Sequence, residues 1–334
     1  MGHTTIKDIA RKLKISTSTV SRALRDKYDV NPETRQRVLD LARELNYLPS
    51  SQALGLKQKK TLTIGVVVPE IDNEFFSDAI YGIENVAFER DYHVMICQTR
   101  DSAEREERIV EKLLTARVDG IILSISSSVT DVKHLKRVME YDVPLVLFDR
   151  ISDAIDTHKV LNDDYDGALK AVEYLVKRGK KRIAHLAGSL NLQISKLRLN
   201  GYKDALKKAG MPINQNLIVE SGFKREESRI AAKALLLDQK PDAIFCASDN
   251  VAIGAILAAR DLGISVPKEV AIMGFSNLSI SELIEPPLST VNQPAKAMGE
   301  TSAKLLLDII GQGDKIFDPK TIVLKTEVIP REST

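Results

Sequence analysis

The sequence of 334 residues has few of the features by which a secreted, membrane-bound or disulfide-bonded protein is recognised. Its only two cysteines, Cys97 and Cys246, each lie in an apolar, strand-like segment, which favours buried thiols. No apolar run approaches the length of a membrane span. Because charged residues precede any apolar run at the N-terminus, we expect no secretory signal. Together these absences predict a cytoplasmic protein.

Motifs for nucleophilic, metal-assisted or phosphate chemistry are also missing. The chain has no Gly-rich loop ending in Gly-Lys-Ser or Gly-Lys-Thr, no Gly-x-Gly-x-x-Gly, no His-Glu-x-x-His and no Gly-x-Ser-x-Gly. Its five histidines are far apart and show no ligand spacing. We therefore expect no catalytic residue, no metal and no cofactor.

One segment, 162–167 followed by Glu173, nearly matches the calcium loop of an EF-hand. Its first ligand position holds Asn162 instead of aspartate. A loop in which Asp164 or Asn162 caps the next helix explains the same residues more simply. A calcium-binding loop is the alternative to this helix cap.

Charge is unevenly distributed along the chain. Residues 1–60 contain 13 Lys or Arg and six Asp or Glu, a net charge of +7, whereas the remaining residues contain 35 and 40, a net charge of −5. A small basic unit on a neutral-to-acidic body is typical of a DNA-contacting module. A solvated basic terminus without a partner is the alternative explanation.

The first sixty residues show helical patterns and no strand pattern. Thr5 can cap a first helix, with Asp8 at its third position. Ser16 can cap a second, and Asn31 followed by Pro32 marks the start of a third, which ends before Pro49. The second helix begins with small polar residues and carries a basic residue further along, as a DNA-reading helix does. We expect Thr17, Ser18 and Arg22 to reach bases, and Thr19 and Ser21 to contact phosphates.

From Leu62 onward, buried-strand patterns alternate with amphipathic helical patterns. The strands are predicted at 62–68, 94–97, 120–123, 145–148, 183–186, 243–246 and 270–273. Helices are predicted at 75–90, 103–116, 165–177, 197–209, 228–237 and 250–262. This alternation predicts an α/β fold with parallel sheets covered by helices on both faces, and its length favours two lobes.

The whole chain resembles the lactose-repressor and galactose-repressor (LacI/GalR) family. The likeness is carried by the segments 5–10, 16–24, 30–35 and 46–49, and continues at 119–122, 148–149, 197–202, 248–254 and 287–294. It implies an all-α helix-turn-helix head at 1–49, a hinge helix and linker at 50–60, and a periplasmic-binding-protein-like body at 61–334. The lobes would be about 61–161 with 291–324, and 162–290 with 325–334.

The resemblance also implies a function. It predicts a homodimeric repressor, of carbohydrate metabolism genes in this case, that binds a pseudo-palindromic operator. Thr5 and Asn31 join the residues expected at the DNA, Leu56 matches the leucine that wedges into the minor groove, and Ala53 matches the alanine that packs beside it. A passive tether is the alternative role for the hinge.

The effector, a sugar or sugar derivative, is expected between the lobes. The matching positions are Phe75, Phe76, Asp149, Arg150, Arg198, Phe223, Asp249, Asn250, Ser276 and Gln293. Two departures from the family pattern affect the ligand: Ser276 stands where an aspartate is usual, and Arg150 where several relatives have an apolar or aromatic residue. Arg150 with Arg198 would suit an anionic sugar derivative, and a plain sugar is the alternative.

Two other functions remain open on the sequence alone. A solute receptor that feeds a transporter would use the same body, but the basic head and the lack of a recognisable signal argue against it. A sugar-handling enzyme would need a nucleophile, a metal or a phosphate motif, none of which is recognisable.

Overall fold

A computed structural model describes residues 4–24, 30–47, 60–312 and 318–334. The chain divides into two compact units, Met1–Thr61 and Leu62–Thr334, which are called the head and the body below. Ala53 and Leu56 of the predicted hinge helix lie outside the described residues, so their roles stay predictions. No described helix is both long and apolar enough to cross a membrane.

The head contains three helices, α1 (Ile6–Leu13), α2 (Thr17–Ala23) and α3 (Pro32–Glu44). The predicted caps are confirmed. The backbone N–H of Thr5 donates to the Asp8 carboxylate at 2.9 Å, and the Ser16 hydroxyl accepts the N–H of Thr19 at 3.0 Å. The Asn31 side chain accepts the N–H of Glu33 at 2.8 Å, ahead of a helix that begins at Pro32. Each cap satisfies a backbone donor that the first turn leaves unpaired.

The three helices are held together by one small apolar core. Its buried members come from all three helices: Ile9, Ala10, Val20, Ala23, Val38 and Ala42. Because these residues recur at helical spacing, each helix turns one apolar face inward and leaves a polar face in solvent. The exposed face of α2 is therefore available for a partner.

The first lobe of the body is built on a six-stranded parallel sheet. Its strands are β1 (Thr63–Val68), β2 (His93–Gln98), β3 (Gly120–Leu123), β4 (Leu145–Phe148), β5 (His158–Asn162) and β11 (Thr321–Leu324), in the order β11-β5-β4-β3-β1-β2. One face packs on α4 (Glu74–Glu89) and α12 (Ala295–Gln312), and the other on α5 (Ala103–Thr115) and α6 (Lys133–Glu140). Covered faces explain the continuous apolar runs of β3 and β4, which are buried along their whole length.

The second lobe has a four-stranded parallel sheet of β6 (Ile183–Ala187), β7 (Ile218–Glu220), β8 (Ala243–Cys246) and β9 (Ala271–Met273), in the order β7-β6-β8-β9. Helices α7 (Asp164–Lys177) and α8 (Gln193–Lys208) cover one face, and α9 (Arg225–Gln239) and α10 (Asp249–Asp261) the other. A short 3-10 helix, Gln215–Leu217, precedes β7, and α11 (Ile280–Leu283) follows β9.

The chain passes between the two sheets three times. It leaves the first sheet after Asn162, returns to it after Asn292, and leaves it again after Leu324. The second crossing lies slightly later than the expected boundary at Val291. The reason is that β10 (Thr290–Asn292) pairs antiparallel with β12 (Glu327–Ile329) and bridges to the segment after β9, so 291–292 belong with the second lobe.

Two glycines bring α4 and α12 into direct backbone contact. A Cβ on Gly82 would collide with the carbonyl oxygen of Lys296, and a Cβ on Gly299 would collide with that of Ala79. The α4 helix is therefore fixed closely against α12 on the first sheet. This contact sets the position of the N-terminal turn of α4, where Phe75 and Phe76 lie.

Candidate functional site

The second helix of the head presents the residues expected to read DNA. Thr17, Ser18 and Arg22 are exposed on α2, while Thr19 and Ser21 are half-buried and Val20 is fully buried. The Ser16 hydroxyl lies 2.7 Å from that of Ser18. The side chains proposed for base contacts thus project from a helix that is capped at its start and anchored through its apolar face.

The body holds a small cavity between its two lobes. Its volume is about 40 Å³. Nine of the ten predicted effector residues line it, together with four residues that the sequence did not point to: Phe75, Phe76, Asp149, Arg150, Arg198, Phe223, Asn250, Ser276, Gln293, and Asn73, Ile194, Ser248, Leu278. Positions far apart in the chain therefore meet where the chain crosses between the sheets, as ligand sites of this architecture do.

Asp149 contributes a buried carboxyl group to this inner cavity. It follows β4 directly, and its φ of 58° lies in the left-handed region that aspartate and asparagine tolerate better than most residues. Burial raises the pKa of Asp149 from 3.8 to about 6, with the nearby Arg150 acting in the opposite direction. The carboxyl can therefore donate a hydrogen bond below about pH 6, and above that pH it only accepts.

Gln293 and Ser276 form a polar pair in the lining of the cavity. The Ser276 hydroxyl donates to the side-chain oxygen of Gln293 at 3.0 Å. The side-chain nitrogen of Gln293 is buried and has no hydrogen-bond partner among the described residues. A buried donor without a partner is costly, so this nitrogen is suited to an acceptor on a ligand.

Arg198 lines the cavity and is also held by neighbouring protein groups. Its Nε donates to one oxygen of Asp164 at 2.8 Å, and its Nη2 forms an ion pair with the same oxygen at 2.6 Å. Its Nη1 donates to the carbonyl of Ala247, and its guanidinium carbon lies 3.9 Å from the Phe275 ring centroid. The side chain is only 2% exposed. The protein therefore holds Arg198 in place with three of its five N–H groups, and the ligand clamp that the sequence predicted stays a prediction.

Asp249 does not line the cavity, contrary to the prediction that it accepts from a ligand hydroxyl. It is fully buried at the start of α10. One carboxylate oxygen accepts the backbone N–H of Leu278 at 2.8 Å and the hydroxyl of Ser281 at 2.7 Å, and the other accepts the hydroxyl of Thr290 at 2.5 Å. Both oxygens are thus used to hold the segment that follows β9.

That segment, 276–281, contacts both lobes. Leu278 packs into the apolar cluster of the first lobe. Glu74, in the first turn of α4, accepts both the backbone N–H of Ser279 at 2.7 Å and its hydroxyl at 2.8 Å. Because Ser276 and Leu278 also line the cavity, the same short segment contacts both the cavity and the first lobe.

A second, larger chamber of about 500 Å³ lies outside the inner cavity. Its charged lining includes both signs, with acidic and basic groups from both lobes: Glu70, Asp72, Asp101, Glu227, Arg100, Arg150, Lys224 and Arg225. Arg150, Phe223, Asn73 and Asn250 belong to both spaces. Arg150 therefore lies at the boundary between them.

The segment considered as a calcium loop is occupied by other contacts. Asp163 caps α7, because its side chain accepts the N–H of Asp166 at 3.1 Å, and Asp164 pairs with Arg198. The predicted helix cap is therefore present, but the residue that makes it is Asp163 and not Asn162 or Asp164. The pattern of acidic residues reflects a cap followed by a buried ion pair.

Both units match family models. Residues 5–50 match the model described as bacterial regulatory proteins, lacI family. Residues 61–326 match the model described as periplasmic binding proteins and sugar binding domain of LacI family.

Full-length relatives agree with these matches. The chain is 32% identical over 330 residues to the HTH-type transcriptional repressor PurR of Vibrio atlanticus, with 98% of each chain covered. It is 33% identical over 332 residues to the ribose operon repressor of Haemophilus influenzae, again with 98% of each covered. Among solved structures, the Lac repressor dimer bound to operator and the anti-inducer ONPF is similar with a TM-score of 0.86, at 27% identity and 99% coverage of both chains.

Proposed function

Because the chain belongs to the LacI family of bacterial regulatory proteins, we propose that it is a transcriptional repressor whose head reads an operator and whose body senses a small molecule. The observation that carries the proposal is the exposed face of α2, where Thr17, Ser18 and Arg22 project from a capped and anchored helix. Small polar side chains and an arginine can form hydrogen bonds with base edges in the major groove.

The proposal includes a pseudo-palindromic operator and a homodimer. The similar Lac repressor structure is a dimer on operator DNA. Edge strand β2 of this chain exposes Met95 by 42% and Ile96 by 48%, and an exposed apolar strand edge is stabilised by covering it. A protein that binds the chromosome of a bacterium works in its cytoplasm.

For the effector we propose a sugar or sugar derivative bound in the inner cavity. Asp149, Asn250, Ser276 and Gln293 offer hydroxyl-binding groups, and Phe75 and Phe76 offer an apolar wall. The relatives include a repressor of a ribose operon, and a similar solved structure is the transcriptional regulator CelR with cellobiose. Arg198 lines the cavity and has N–H groups beyond those bonded to the protein, so it can still contact the effector, whereas both oxygens of Asp249 accept hydrogen bonds from the protein.

The experiment is to recover the genomic DNA that the purified protein retains and to sequence it. We expect a short motif with two-fold symmetry near genes of carbohydrate metabolism. Retained DNA without a shared motif would contradict the proposal. Titration of sugars and sugar acids against the operator then identifies the effector, because typical coupling of about 1 to 3 kcal/mol changes operator affinity roughly 5- to 150-fold.

The two alternatives predict different results. A solute receptor would bind a sugar tightly and retain no specific DNA. An enzyme would convert the sugar, which a turnover assay with the same sugars detects. The proposal gives the chain no catalytic role, and its relatives are named as regulators.

A further inference from the structure

Arg150 lies between aromatic rings that belong to different lobes. It follows β4 in the first lobe, and its guanidinium carbon is 5.5 Å from the ring centroid of Phe76 on α4. The same carbon is 5.3 Å from the ring centroid of Phe223, which follows β7 in the second lobe. A guanidinium over an aromatic face is attracted to it, and the attraction increases when water is excluded. The arginine therefore joins the two lobes across the cleft.

The polar contacts of Arg150 are incomplete. Its Nη1 donates to Asp101 at 2.8 Å, and Asp101 is itself held by the N–H and the hydroxyl of Ser127, both at 2.6 Å. The Nε is buried without a hydrogen-bond partner in the described part of the chain, and a carboxylate oxygen of Asp149 is 3.9 Å from it. Arg198, in contrast, uses Nε, Nη1 and Nη2 within the protein.

The inner cavity, which Arg150 lines, is too small for a sugar. The inner cavity of about 40 Å³ holds about one or two water molecules, whereas cavities for small ligands are typically about 300 to 1,000 Å³. The chamber of about 500 Å³ lies on the other side of the Arg150 side chain. Of the two buried cations that line the inner cavity, Arg150 is held by fewer hydrogen bonds and borders the space into which it could move.

We propose that the Arg150 guanidinium is a built-in occupant of the cleft, which holds the lobes together in the absence of effector and must be displaced before an effector enters the inner cavity. The part that concerns an effector rests on the proposed function. The part that says Arg150 holds the lobes together does not rest on the proposed function, because it is argued from the contacts of Arg150 alone. The net binding free energy of an effector is then the free energy of its own contacts minus that of the Arg150 contacts that it replaces.

The test measures the distance between the lobes without any effector. Spin labels are placed on exposed positions of α5 and α9 through Glu104→Cys and Asp238→Cys in a Cys97→Ser background. Labelled chains are diluted with unlabelled ones so that distances within one chain are recorded. We expect one narrow, short distance distribution in this parent protein. Arg150→Ala and Phe223→Ala should shift it to longer distances and broaden it.

Arg100→Ala is the matched control, because Arg100 lines the same outer chamber and makes no ring contact among the described residues. It should leave the distribution unchanged. Chemical rescue tests whether a guanidinium between the two rings closes the lobes. Millimolar methylguanidinium, a planar cation, should restore the short distance between the labels in Arg150→Ala. Methylammonium should not, and neither should methylguanidinium in Arg150→Ala combined with Phe223→Ala.

Circular dichroism of each variant separates opening of the cleft from loss of the fold. The proposal is overturned if folded Arg150→Ala keeps the parent distribution, because other contacts then close the cleft. It is equally overturned if the variant opens and methylguanidinium has no effect, because the space between the Phe76 and Phe223 rings then does not bind a planar cation. Neither measurement uses DNA, so failure to find an operator would count against the proposed function only.

Discussion

Glu74 and Ser279, 205 positions apart in the chain, join the two lobes: the Glu74 carboxylate accepts the backbone N–H of Ser279 at 2.7 Å and its hydroxyl at 2.8 Å. The contact connects the first turn of α4 to the segment that Asp249 holds on the second lobe. Glu74 is only two residues from Phe76 of the Arg150 stack, but the Glu74–Ser279 contact uses different side chains and different chemistry, so mutation can separate the two contacts.

Glu74→Ala should weaken the closed arrangement by about 1 kcal/mol, the usual net value of such hydrogen bonds at a partly exposed position. Ser279→Ala removes only the hydroxyl bond and should have a smaller effect. The spin-label distance between α5 and α9 measures both. Glu84→Ala is the control, since Glu84 is an exposed acid on the same helix. A distribution in Glu74→Ala that matches this control would show that the contact does not hold the lobes.

Asp149 should make the stability of the body depend on pH. Burial raises its pKa from 3.8 to about 6, so the folded protein binds this proton more tightly than the unfolded chain does. The stabilisation is complete below the unfolded pKa and is lost as the pH rises through about 6. By pH 7.5 the ionised group should cost about 2 to 3 kcal/mol relative to a neutral one.

Asp149→Asn tests this, because asparagine tolerates the left-handed backbone at this position and stays neutral. The variant should be more stable than the parent in urea unfolding at pH 7.5, and the difference should shrink towards pH 4.5. A stability difference that is the same at both pH values would mean that ionisation of Asp149 does not contribute.

Arg22 should specify sequence at one position of the operator. It is exposed on α2, and its Nε donates to the carbonyl of Ser18 at 3.4 Å, which directs the side chain along the exposed face of the helix. Arg22→Ala should lose about 1 to 3 kcal/mol on the cognate base pair and little on operators already changed there. Arg43→Ala, which removes the same charge from α3, should leave the base preference unchanged. Equal weakening on all sequences by Arg22→Ala would assign Arg22 to phosphate.

Much of the fold was predictable because buried segments must consist of apolar residues, and such runs can be recognised in the sequence. The runs at 120–123, 145–148 and 243–246 match β3, β4 and β8 residue for residue, since strands covered on both faces must be apolar throughout. The caps at Ser16 and Asn31 were predictable because they act locally. Helix α12 was not predicted: its buried glycine-containing contact with α4 depends on residues more than 200 positions away.

The inner cavity was predictable by resemblance, whereas the use of its polar groups was not. Asp249 and Arg198 are of the residue types that bind hydroxyls, and only the structure shows that Thr290, Ser281, Asp164 and other protein groups already occupy them. Asn73, Ile194, Ser248 and Leu278 carry no distinctive pattern. Asn73 and Ser248 are helix caps beside predicted residues, and this adjacency is the one signal that could have identified them.

The Arg198–Asp164 pair supports a last prediction, which separates a structural arginine from a ligand-binding one. Arg198→Ala leaves the nearly fully buried Asp164 carboxylate without its cation, and breaking such a pair typically costs about 3 to 5 kcal/mol. We expect that loss in urea unfolding of the protein without effector. Arg198→Met combined with Asp164→Leu should recover most of it, because apolar residues of similar volume avoid the uncompensated charge. If Arg198→Ala instead kept the parental stability and only weakened effector binding, Arg198 would be a ligand contact after all, and the bonds to Asp164 and Ala247 would have little energetic value.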